Sequence, residues 1–171
     1  MSDELAEEVN FRLAESSDGQ PVLDLLKVLQ GESDTFLVDS DLDDITGEEE
    51  AQQINFINHS RTNLMAVAEY GSELIGIVTV DNIQESVGEV GVAVLAGYQG
   101  YSIGTNLMEL AIDWAKDFSS LDQLMLTVFS NNKPAIHVYD KVGFHVTNTL
   151  VEDGREAVKM VLTISDKSKK D

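Results

Sequence analysis

The chain has 171 residues, 43% hydrophobic and 25% charged, with 31 acidic residues against 11 basic ones and no cysteine. A chain of this length forms one domain that buries roughly 70% of the surface its unfolded form exposes, so it needs no disulfide or metal staple. The missing cysteines exclude a disulfide framework, a thiolate zinc site and a cysteine nucleophile. A net charge of −20 argues against nucleic acid, whose recognition rests on clustered Lys and Arg, and its negative field favours cationic partners.

Residues 1–8 are acidic and carry neither a basic n-region nor an apolar h-region, and no run reaches the ~20 apolar residues of a membrane helix. The expectation is a cytoplasmic chain without membrane contact: a flexible acidic head at 1–8, one domain at 9–164 and a flexible tail at 165–171. Residues 9–14 alternate as a first strand. Ser17 with Gln20 three places on predicts a capping box, Pro21 suits the first helical turn, and Val22, Leu25, Leu26 and Leu29 form the apolar stripe. An acidic stretch, 39–44, follows. Thr46 with Glu49 makes a second capping box for a helix that turns Ile54 and Ile57 inward and ends near His59.

Two β-branched runs, 64–68 and 74–80, flank a hairpin signal at 69–73. In a third run, 89–95, Val90, Val92 and Val94 point one way and Glu89, Gly91, Ala93 and Leu95 the other. A glycine-punctuated loop, 96–104, leads into a helix over 105–118 with Leu107, Leu110, Ala111 and Trp114 at helical spacing; Trp114 reads as core. A strand at 124–129, a short helix at 133–142 stopped by Gly143, and a hairpin of 144–151 with 157–164 complete the chain. The fold class is α/β in the layered, α+β sense: a mixed, largely antiparallel sheet flanked by helices.

The chemistry is written in the 96–104 loop. A glycine-rich turn at a helix start aims unpaired N–H groups outward at the positive end of the helix dipole, which makes a seat for pyrophosphate. A P-loop would need Lys after the last glycine, where Thr105 stands, and a dinucleotide fingerprint would need a glycine spacing that Gly100 and Gly104 lack. Both the ATP and the NAD readings lose their support.

The run Tyr98-Gln99-Gly100-Tyr101-Ser102-Ile103-Gly104-Thr105-Asn106-Leu107-Met108, behind Val92-Ala93-Val94, resembles motif A of the GNAT superfamily of N-acetyltransferases. The segment 126–144, with Asn132, Tyr139, Gly143 and Phe144, resembles its motif B. The resemblance covers about 9–164 and implies a GNAT-like fold and transfer of an acetyl group from acetyl-CoA to a primary amine, by direct attack through a tetrahedral intermediate and without a metal. It implies further that backbone N–H groups of Gln99, Gly100, Tyr101, Ser102, Ile103, Gly104 and Thr105 grip the CoA pyrophosphate. Main-chain groups of Val92 and Val94 would line the pantetheine and polarise the thioester carbonyl, Asn132 would hold the pantetheine arm, and the Tyr139 hydroxyl would face the sulfur. The sequence departs from the pattern at Ser102, where the family usually has its first Gly, and at Tyr101, where Lys or Arg is common. Gln99 is uncharged, so phosphate binding falls to backbone donors, with Lys133 or Lys141 as helpers.

An alkyl ammonium with a pKa near 10.4 needs a base before it attacks, a thiolate leaving group gains from an acid, and the oxyanion needs a preorganised donor worth about 2.7–4 kcal/mol. Tyr139 is the candidate acid, Glu89 the candidate base, directly or through water, and the Val94 N–H the candidate donor. Some peptide-acetylating relatives carry a Glu on the strand opening motif B, where this chain has Thr127. His137 points away from the face of Tyr139, and His59 and His145 have no supporting constellation. The acceptor is a small-molecule or peptide amine, a cationic one suiting the acidic chain and its 39–44 segment, and the edge of the last hairpin offers itself to a second copy in a homodimer. The alternative is a catalytically silent acyl-CoA-binding regulatory module. It keeps the same loop and is separated from the enzyme by Tyr139 and Glu89.

Overall fold

The computed structural model describes residues 8–32, 42–100 and 102–164. Its strands are β1 (Val9–Leu13), β2 (Leu64–Tyr70), β3 (Glu73–Gln84), β4 (Val87–Val94), β5 (Gln123–Phe129), β6 (His145–Glu152) and β7 (Arg155–Thr163). The helices are α1 (Gly19–Glu32), α2 (Gly47–His59), α3 (Ile103–Asp117) and α4 (Lys133–Lys141). The strands form one sheet in the order β1-β2-β3-β4-β5-β7-β6, antiparallel at each pairing except β4 with β5. Element order and fold class follow the hydrophobic periodicity of the sequence. The acidic residues 39–41 and both chain ends, 1–7 and 165–171, lie outside the described residues. Leu42–Asp44 form a short 3-10 turn that buries Leu42.

Alternation along the strands gives the sheet two apolar faces. On one, Met65, Val67 and Ile77 meet Val22, Leu25 and Leu29 of α1 and Ile54 and Ile57 of α2. On the other, Val78, Val80, Val90, Leu124, Leu126 and Met160 meet Ile103, Leu107, Met108 and Ala111 of α3, and Ile136 and Tyr139 of α4 with Val142 just after it join at the margin. β4 splits as its pattern demands, with Val90, Val92 and Val94 toward α3 and Ala93 toward α1 and α2, whereas Leu95, just past its end, packs against both cores. Two glycines allow close approaches here. A Cβ on Gly19 would stand 2.3 Å from the Gly47 carbonyl oxygen, where α1 and α2 cross, and a Cβ on Gly88 would stand 2.5 Å from Val80 Cγ1 and 2.8 Å from Leu121 Cδ1.

The Thr46–Glu49 capping box forms as expected, with Glu49 N–H donating to Thr46 Oγ1 at 3.0 Å and Thr46 N–H to Glu49 Oε1 at 2.9 Å. The first cap differs from the Ser17–Gln20 expectation. Glu15 is the N-cap of a 3-10 turn, Ser16–Asp18, which runs into α1, and the Glu15 N–H donates to Asp18 Oδ2 at 2.7 Å. The reason is an ion pair between β1 and the turn, braced from β2, that capping patterns do not register. Arg12 on β1 donates from Nη1 to Asp18 Oδ2 at 2.7 Å and from Nη2 to Asp18 Oδ1 at 2.9 Å, and it also reaches Glu69 of β2 from Nε at 3.2 Å. The Arg12 hydrogen bonds hold the Asp18 carboxyl below its ordinary pKa against the opposing effect of burial.

Replacing Arg12 with Ala leaves Asp18, only 6% exposed, without its counter-charge, and is expected to cost about 2–4 kcal/mol. Because the native pKa of Asp18 is lowered, this stabilisation is present above the unfolded carboxylate pKa near 3.9 and is lost as pH falls through the native value. Thermal melts of wild type and Arg12→Ala are therefore expected to lie well apart at neutral pH and to converge under acid.

Candidate active site

β4 and β5 run side by side over three pairs only, Val87 with Gln123, Gly88 with Leu124 and Glu89 with Met125. Beyond that point β4 stays with β3 as far as Val94, and β5 stays with β7 as far as Phe129. The two halves of the sheet therefore part, and a cleft opens between them. Extending the register places Val92 opposite Val128 and Val94 opposite Ser130, which identifies the two walls. Leu95 N–H donates to the Ile75 carbonyl at 2.9 Å, so in the alternating ladder the main-chain groups of Val92 and Val94 turn away from β3 and into the cleft. The Val94 carbonyl accepts from Gln99 Nε2 at 3.1 Å, leaving the Val94 N–H as the inward-facing donor.

The start of α3 stands at the mouth of this cleft. Gly100 has φ of +90°, and Ser102, the N-cap, sits in the left-handed region at φ 64° and ψ 15° without making a side-chain cap. The N–H groups of Ile103, Gly104 and Thr105 therefore point outward at the positive end of the helix. A Cβ on Gly104 would find its nearest neighbour, Val94 Cγ2, at 3.9 Å, so the space before these donors is open. The Ile103 side chain is 1% exposed and packed in the core, which fixes the helix start and leaves only its backbone N–H to serve a ligand. Tyr101 lies outside the described residues.

On the far wall, Asn132 caps α4, its Oδ1 accepting from Ala135 N–H at 3.3 Å, so that its amide N–H₂ remains available. Tyr139 packs its ring against Phe144, centroids 6.4 Å apart, and burial pushes its phenol above the ordinary pKa. Tyr139 belongs to the α3 side of the sheet. Glu89 belongs to the other: it shares that face with Ala93, its partner Met125 and, two residues along β5, Thr127. The two groups therefore lie on opposite faces of the sheet. His137 and His145 are exposed and outside this arrangement.

Sequence reasoning missed Asp81. It is the direct cross-strand neighbour of Glu89, so both carboxylates share a face, and desolvation raises the Asp81 pKa above its ordinary value. The signal lay in the β3–β4 register, which a bulge between Asn82 and Gln84 hides from any count along the chain. No group of His, Asp and Glu able to hold a metal occurs among the described residues, and none of the helices there is long and apolar enough to cross a membrane.

A model of the Acetyltransferase (GNAT) family matches residues 27–144. The L-amino acid N-acetyltransferase AaaT of Escherichia coli is 31% identical over 87 residues, 48% of this chain and 54% of that protein. The Escherichia coli spermidine N(1)-acetyltransferase is 30% identical over 97 residues, 56% of this chain and 52% of that protein. The matches thus span about half the length of these curated relatives. The crystal structure of a GNAT-family acetyltransferase from Streptococcus pneumoniae superposes with a TM-score of 0.81 at 26% identity, covering 91% of this chain and 99% of that one.

Ser102 occupies a backbone conformation that suits glycine better than serine, at a cost of about 1–2 kcal/mol set against the greater unfolded-state entropy of glycine. Ser102→Gly is expected to raise the melting temperature slightly and to leave CoA affinity within about twofold, since the donors at the helix start are backbone groups. Calorimetric titration of CoA together with a melt checks both.

Proposed function

The chain belongs to the GNAT acetyltransferase family, and on that premise we propose that it is an acetyl-CoA-dependent N-acetyltransferase acting on a primary amine. The observation that carries this reading is the parted β4–β5 pair with the uncapped start of α3 at its mouth: an extended slot lined by main-chain donors and ending at an anion seat. This fits a cosubstrate with a long amide-bearing arm and a pyrophosphate, and acetyl-CoA supplies the activated acetyl thioester.

In this reading the N–H groups at Ser102, Ile103, Gly104 and Thr105, with the turn at Gln99 and Gly100, hold the pyrophosphate. Main-chain groups of Val92 and the Asn132 amide pair with the arm, and the Val94 N–H stabilises negative charge on the thioester oxygen. Tyr139, a phenol protonated at neutral pH whose burial raises its pKa further, gives a proton to the departing sulfur. Glu89, on the opposite face, takes the proton of the ammonium, directly or through water. Asp81 beside Glu89 adds to the negative potential that draws a protonated amine to this side. Amino acids and spermidine, named for the two Escherichia coli relatives, share the primary amine that we infer for the acceptor. The open edge of β6, paired on one side only, is where we place a second copy if the chain dimerises.

Acetyl-CoA at about 100 times its Kd is expected to add about 2.7 kcal/mol, a melting shift of roughly 5–11 °C, which ATP and NAD do not reproduce. Tyr139→Phe is expected to keep that shift and to lose about 100-fold or more in turnover. A shift without turnover in the wild type against a broad amine panel would assign the chain to acyl-CoA binding alone.

A further inference from the structure

An open surface depression of about 520 Å³, called the cavity below, lies beyond the end of β5, lined by half-buried Ser130 and by exposed Asn131, Lys133, Arg155 and Glu156. Its charge runs against that of the chain, with two cations facing one carboxylate in a protein of net charge −20. None of Lys133, Arg155 and Glu156 makes an ion pair among the described residues. The Arg155 guanidinium lies 3.8 Å from the centroid of the Phe129 ring, and its Nη2 donates to Asn131 Oδ1 at 3.4 Å. Stacking on the ring and one hydrogen bond fix its plane while leaving further donors in the fork that matches a carboxylate. The Ser130 Oγ is buried without a hydrogen-bond partner, and Ser130 lines the cavity.

The position is as telling as the composition. Phe129 follows Met125 and Thr127 in alternation along β5, so the ring beneath Arg155 lies on the face of the sheet that carries Glu89. Ser130 is the residue that the extended register sets opposite Val94. An acceptor whose amine lies at the Val94 level of the cleft would face the β5 wall that ends at this cavity, whereas the 3′-phosphate of CoA lies at the opposite end of that molecule from its thioester.

We propose that this cavity is an oxyanion subsite, centred on Arg155 with Lys133 in support, that holds the carboxylate of an amino-acid-like acceptor. It rests on the acetyltransferase reading. The test compares kcat/KM for L-amino acids and for the amines left by their decarboxylation, in wild type, Arg155→Ala, Arg155→Lys and, as a control of equal charge change on α3, Lys116→Ala, with a melt of each variant to confirm folding. In wild type the carboxylate-bearing member is expected to be preferred by about 10-fold or more. Arg155→Ala is expected to remove that preference through KM while changing the rate on the decarboxylated amine less than about twofold, with Arg155→Lys in between and Lys116→Ala unchanged. A second arm replaces acetyl-CoA by its 3′-dephospho form: if the loss in Arg155→Ala disappears with that donor, the cavity serves the cosubstrate phosphate and the proposal is overturned. Equal use of both acceptors by wild type, or an unchanged ratio in Arg155→Ala, overturns it while the acetyltransferase stands. A wild type that acetylates neither overturns the acetyltransferase reading, and the subsite falls with it.

Discussion

The arrangement turns on the place where β4 and β5 stop pairing. Three parallel rungs join the two halves of the sheet, after which each strand is held by its other neighbour and by the helices behind it. A parting in a sheet is costly when it leaves backbone groups buried and unpaired. Here Val92 and Val94 present those groups to an open cleft, where a ligand or solvent meets them. The packing of Val90, Ile103 and Leu107 then fixes the start of α3 relative to the same strand, so the main-chain donors of the cleft and the free N–H groups of the helix start are held together.

The split also gives the site two chemically different sides. On the α3 side Tyr139 is surrounded by apolar groups and Phe144, and its phenol resists ionisation. On the other side, past the cover of α1 and α2, the face bears Glu89, Asp81 and Thr127, and farther along β5 the ring of Phe129 under Arg155. A sheet that stayed closed would insulate these two environments from each other, and it is this difference between the faces on which the proposed division of acid and base rests.

Much of this was legible in the sequence because the signals were local. The alternation of Val90, Val92 and Val94 against Ala93 placed the strand and both of its faces, the Thr46–Glu49 pair placed a helix start, and the glycine spacing from Gly100 to Gly104 marked the turn into α3. What stayed hidden depended on contacts distant in the chain. Ser17 and Gln20 had the right spacing for a cap, but Arg12 binds Asp18 and moves the cap to Glu15. Asp81 meets Glu89 only through a register that a bulge displaces. Arg155 reads as an ordinary hairpin residue until the turn folds it over Phe129, more than twenty positions earlier in the sequence.

Gly88 shows how little material sets the geometry of the cleft. It is the middle rung of the short β4–β5 join, and the space that a side chain would need is already filled by Val80 and Leu121. Even one methyl group there would wedge the strands apart a rung early and lengthen the slot toward Val87. The aperture of the cleft, and with it the depth to which an acyl arm can slide before it meets closed sheet, is thus gauged by the absence of a single carbon atom.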